Sequence, residues 1–115
     1  MHVTRLDEVK KTTAAMEGAK DVYKQVPLSG ANGAPTFSFR VFTIGPGGHT
    51  PFHRHPYEHM NYVIAGRGFL RAEEGEQEVR EGDFALVLPG EKHQYRNSSP
   101  DRNLVMICAV PKEHE

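Results

Sequence analysis

The chain holds one cysteine, Cys108, among its 115 residues. It therefore forms no internal disulfide, and a reducing cytoplasm is its expected home. Charge of one sign is missing too: 14 basic residues stand against 15 acidic ones, a formal net charge of −1. No basic stripe or acidic tail stands out, so neither nucleic acid nor an anionic membrane is an expected partner. Residues 1–10 carry charges every few positions and contain no apolar stretch of the kind a signal peptide uses. No segment approaches the roughly 20 apolar residues that a membrane-spanning helix requires. Internal repeats, low-complexity tracts and long amphipathic helices are also lacking. A chain of this length makes one domain, and such a domain buries roughly two-thirds of its unfolded surface.

Turn formers, by contrast, are plentiful: 11 glycines and 8 prolines. They punctuate short β-prone runs. Residues 1–35 read as a lead-in, with a weak strand at 21–26 (DVYKQV), a loop at 28–35 (LSGANGAP) and at most a helical turn or two within 10–19. Residues 36–110 read as the conserved body. A strongly β-prone run at 36–44 (TFSFRVFTI) ends at Gly45-Pro46-Gly47-Gly48. A short piece through His53 and His55 follows, then runs at 59–65, 68–72, 77–80, 83–88, 93–97 and 103–110. The charged stretch 71–83 (RAEEGEQEVREGD) reads as a solvated hairpin. Many short strands at close, even spacing predict an all-β sandwich or barrel in a single domain.

Seven histidines are the compositional oddity. Side chains alternate along a strand, so His53 and His55 point the same way and converge off one face. Pro56 stops that piece, and His59 opens the next strand within reach of a turn. His93 arrives after the turn at Pro89-Gly90. Four neutral imidazoles closing on one point make a nitrogen cage for a borderline metal ion. Without an ion, their buried donors and acceptors would cost roughly 1–3 kcal/mol each. Glu58 has the opposite parity from His59 and is not expected to ligate. His49, cut off by Pro51, reads as a loop residue, and His2 and His114 as solvated.

Two spaced motifs in this region resemble those of the cupins. Gly47, five residues, His53-Arg54-His55, three residues, His59, six residues and Gly66 follow the first cupin motif, with histidine where glutamate is usual. Gly82, Pro89-Gly90, His93 and Asn97 follow the second, with Pro89 displaced to abut Gly90. The run His53-Arg54-His55-Pro56-Tyr57-Glu58-His59 is similar to that of small one-domain cupins carrying four histidines. The resemblance implies a jelly-roll barrel with one divalent transition metal inside, Mn, Fe, Ni, Cu or Zn, on His53, His55, His59 and His93. It also implies a homodimer in which N-terminal strands add to the partner's sheet.

Met106 and Cys108 share one face of the last strand and are either plain core or lining beside the metal. Tyr95 and Asn97, at even spacing after His93, are candidate partners of the liganding rings. Arg40 either snorkels to the surface or a dimer contact, or points inward as a clamp for a carboxylate or enolate. The expected function is a metal-dependent enzyme acting on a small organic molecule, a dioxygenase-like oxidoreductase first. An isomerase, lyase or cyclase using the metal as Lewis acid is the alternative, and a non-catalytic binding module the third class.

Overall fold

The computed structural model describes residues 1–115. Nine strands build it: β1 (Thr12–Thr13), β2 (Lys20–Leu28), β3 (Phe37–His49), β4 (His59–Ala65), β5 (Arg67–Ala72), β6 (Gly75–Arg80), β7 (Phe84–Val87), β8 (His93–Arg96) and β9 (Leu104–Pro111). The rest is loop and three short 3-10 turns, so the all-β expectation holds. Every pairing is antiparallel, in the order β6-β5-β8-β3-β9-β4-β7, with β2 on β3 and β1 on β2. This curled sheet is a jelly-roll barrel. No helix is long and apolar enough to cross a membrane.

The longest pairing is β3 with β9, eight partners from Phe37↔Pro111 to Ile44↔Leu104. Along β9 burial alternates without a break: Leu104, Met106, Cys108 and Val110 point in. Ile44, Leu104, Met106, Val22 and Val63, each at most 2% exposed, are the apolar centre of the barrel with Val79 and Tyr95 around them. Full burial of such a side chain stabilises by about 1.5–3 kcal/mol.

Three expectations are corrected. The strand expected to end at Ile44 continues to His49. Opposite it, Val22 pairs with Ile44 and Lys20 already with His49, so the surplus residues of β3 form a bulge. Gly47 takes that bulge at φ +74°, a conformation a side chain would resist. Secondly, residues 10–19 form no helix; β1 and a turn at Gly18 (φ +87°) take their place. Thirdly, His53 and His55 lie on no strand, and the only pairing there is a single bridge, His53↔His93. Residues 71–83 do form the solvated hairpin, with Val79 alone turned inward.

The lead-in lies on its own sheet: β1 pairs β2, and the Gln25 amide donates to the carbonyls of Leu6 and Val9 at 2.8 and 2.9 Å. Asn97 has a different role from the one expected of it. It is 1% exposed, its amide donates to the carbonyls of Ile44 (2.9 Å) and Arg102 (2.8 Å), and its side-chain oxygen accepts from the Ser99 N–H (2.9 Å). It fastens the 98–102 turn to β3 and touches no histidine. Asn97→Ala would orphan those buried groups, and the expected loss is about 3 kcal/mol in urea denaturation.

Candidate metal centre

The bridge between His53 and His93 carries two backbone hydrogen bonds, 3.1 and 2.9 Å, and brings the two imidazoles to the same end of the barrel. His55 follows on the tight connection to β4. Ring nitrogens of His53, His55 and His93 all lie within 4.8 Å of one another. Their ring centroids are 5.3 Å (53–55), 5.3 Å (53–93) and 4.8 Å (55–93) apart.

Two of these rings have a fixed aim. His55 Nδ1 lies 2.8 Å from the Tyr57 carbonyl, and His93 Nδ1 lies 2.9 Å from the Glu91 carbonyl. A carbonyl only accepts, so the proton sits on Nδ1 and the lone pair on Nε2, the tautomer a metal needs. His55 Nε2 is buried with no protein partner. An orphaned lone pair among other imidazoles is what a nitrogen-binding ion would satisfy, and the donor set fits one. Tyr57 stacks on His55 at 4.2 Å and 9°, and His114 stacks on the far face of Tyr57 at 4.0 Å. Thus His114, expected to be merely solvated, buttresses the ring behind a site residue.

His59 is the exception. Its ring lies 4.1 Å from that of His55 and lines the same cavity, yet its Nε2 faces Arg40 Nη2 at 3.3 Å. Three of the four expected histidines form the cluster, and the fourth holds a guanidinium. Glu58 is exposed and outside the cavity, as parity demands. His49 also stays outside; its Nδ1 sits near the Thr50 carbonyl and the Gln94 amide, 3.2 and 3.4 Å away.

The cavity beneath the histidines has a volume of about 100 Å³. Arg40, Tyr95, Met106 and Cys108 all line it. Sequence reasoning missed Asn61, whose side-chain oxygen accepts from the Tyr95 hydroxyl at 2.9 Å, and Phe42, whose ring lies 5.0 Å from the Arg40 guanidinium carbon. The signal was available in both cases: Asn61 is two residues past His59 and Phe42 two past Arg40, hence on the same faces. Met16, which closes one side, had none, since it comes from the lead-in.

The cupin domain family matches residues 40–110. The chain belongs to the cupins. Over 96 residues it is 32% identical to 1-methylthio-D-xylulose 5-phosphate methylsulfurylase of Rhodospirillum rubrum, covering 84% of this cupin and 60% of that protein. Over 52 residues it is 40% identical to (R)-mandelonitrile lyase of Granulicella tundricola, covering 44% of this cupin and 40% of that protein. This cupin thus spans less than two-thirds of either relative. Among solved structures it is similar to the polyketide cyclase RemF from Streptomyces resistomycificus, with a TM-score of 0.91 and 26% identity over 96% of this chain and 79% of that one.

Burial dominates the electrostatics. It lowers the pKa of His53, with help from His55, and that of His93 against the pull of the Glu91 carbonyl. His59 falls from 6.5 to about 3, through burial first and then the neighbouring His55 and Arg40. These rings are therefore neutral at pH 7. Because the unfolded chain binds their protons more readily, the metal-free fold keeps its full stability above pH 6.5 and loses it as pH falls from there toward about 3. We expect urea midpoints of metal-free protein to be level above neutrality and to decline below pH 6.5, the ordinary pKa of histidine. The decline should be shallower in His59→Gln; equal slopes would contradict this account.

Proposed function

We propose that this cupin is a metal-dependent enzyme for a small organic molecule, holding one divalent transition ion on His53, His55 and His93 with His59 as a fourth ligand. One observation carries the reading: three imidazoles converge with their nitrogens within 4.8 Å, and the buried Nε2 of His55 has no protein partner. Such an ion would supply Lewis acidity at its free positions and, if redox-active, electron transfer as well.

Lewis-acid chemistry of the lyase, cyclase or isomerase kind comes first. The similar proteins are named as a cyclase, a lyase and a methylsulfurylase, and these names reverse the order expected from the sequence alone. The dioxygenase reading stays second. In its favour, a redox-active ion held by the four histidines would keep positions free for dioxygen or a chelating substrate, and the wall of Met106 and Cys108 is soft and apolar.

Elemental analysis of freshly purified protein tests the centre. We expect about one transition ion per chain, a loss of at least tenfold in affinity for His53→Ala, His55→Ala, His93→Ala and His59→Ala, and none for His49→Ala. Full occupancy in His59→Ala would reduce the ligand set to three. Oxygen uptake by iron-, manganese- or copper-loaded protein given a dicarbonyl compound would raise the dioxygenase reading to first place.

A further inference from the structure

The cavity's other end poses an electrostatic problem. Arg40 comes off β3 facing inward and is 6% exposed. One nitrogen, Nη2, donates to Cys108 Sγ at 2.8 Å and meets His59 Nε2 at 3.3 Å, while Nε is buried with no partner. Burial holds the Cys108 thiol up, so its sulfur brings no full negative charge. The ion pairs of the chain, Arg5–Asp7, Arg54–Glu73 and Arg96–Glu76, lie elsewhere. No aspartate or glutamate lines the cavity. The nearby Lys24 has its pKa lowered by burial first and then by Arg40, while Glu115 pulls the other way. Its ammonium already donates to the Glu115 carbonyl at 3.3 Å, so this lysine leaves Arg40 without an acidic partner of its own.

A guanidinium keeps its proton in a protein, and an uncompensated buried charge is destabilising by several kcal/mol. A bound dication would deepen the positive field. The Phe42 face and a thiol relieve it only in part. We propose that Arg40 is the anion-recognition residue of this pocket and that the ligand carries a small planar oxyanion, a carboxylate or the enolate of a dicarbonyl. The unpartnered Nε, together with the Nη2 hydrogen now aimed at His59 and released once that ring turns to an ion, would form the edge of a fork that fits such a group. Size agrees: a cavity of roughly 150 Å³ takes benzene, and this one, at about 100 Å³, takes a head group of a few heavy atoms. This deepens the metal-enzyme reading by naming its substrate class.

Calorimetric titration with acetate, acetylacetonate and neutral acetamide tests it, on metal-loaded and metal-free protein. Metal-loaded wild type should bind one or both anions, which separates carboxylate from enolate, and acetamide at least tenfold more weakly. Arg40→Gln, compared at saturating metal, should lose roughly ten- to hundredfold in anion affinity. Arg40→Lys should recover part, and guards against a folding defect in the first variant. Equal affinity for acetamide, no binding of either anion, or full affinity in Arg40→Gln overturns the proposal. If wild type takes up no metal, the metal reading fails, and the metal-free comparison of wild type with Arg40→Gln still decides the role of Arg40.

Discussion

The register of β3 against β9 is the constraint on which the rest of the structure depends. It sets Arg40 opposite Cys108 inside the barrel and Phe39 opposite Ala109 outside it. Strand side chains have a period of two, so a slip of one residue would turn Arg40 into the solvent and Phe39 into the cavity. Propensity alone does not forbid the slip, since the paired stretches 37–44 and 104–110 are β-prone in either register. What forbids it is the other side of β9, where Asn61 pairs with Cys108 and Tyr62 with Ile107. Three strands thus agree on one parity, and the cavity inherits its lining from that agreement.

The histidine end is fixed by different means. No strand carries His53 and His55; one bridge and two ring-to-carbonyl hydrogen bonds do the aiming. Such a cluster is costly by itself. Burial drives His53, His59 and His93 toward their neutral forms, which removes the repulsion between charged rings and leaves lone pairs facing one another. At this end of the cavity the His55 Nε2 is fully buried without a partner.

Much of this was legible in the sequence. Glycine and proline spacing marked the strands, and β4 falls on residues 59–65 as read. The histidine positions followed from motif spacing, whereas parity left open whether Arg40, Met106 and Cys108 face the cavity that they and Tyr95 line. What could not be read depends on where chain segments pass one another. Glycines at 45, 47 and 48 look like a terminator, yet they let β3 bulge and run on to His49. Asn97 sits two residues beyond Tyr95, and parity alone cannot say that the Ile44 carbonyl will be there to meet it. His114 reaches Tyr57 only because β9 ends beside the histidine loop.

His59 joins the two ends of the cavity. Its Nε2 has a single lone pair, and two claimants lie within range: the Arg40 guanidinium, which holds it at 3.3 Å, and an ion at the other histidines. It cannot serve both at once. If an ion takes it, Arg40 loses an acceptor and is left with Cys108 Sγ and the face of Phe42, both poor neutralisers of a buried cation. The need for an anion from outside then grows at the moment the metal arrives. Metal and anionic ligand would in that case favour each other's binding, without any movement of the barrel, through competition for one nitrogen.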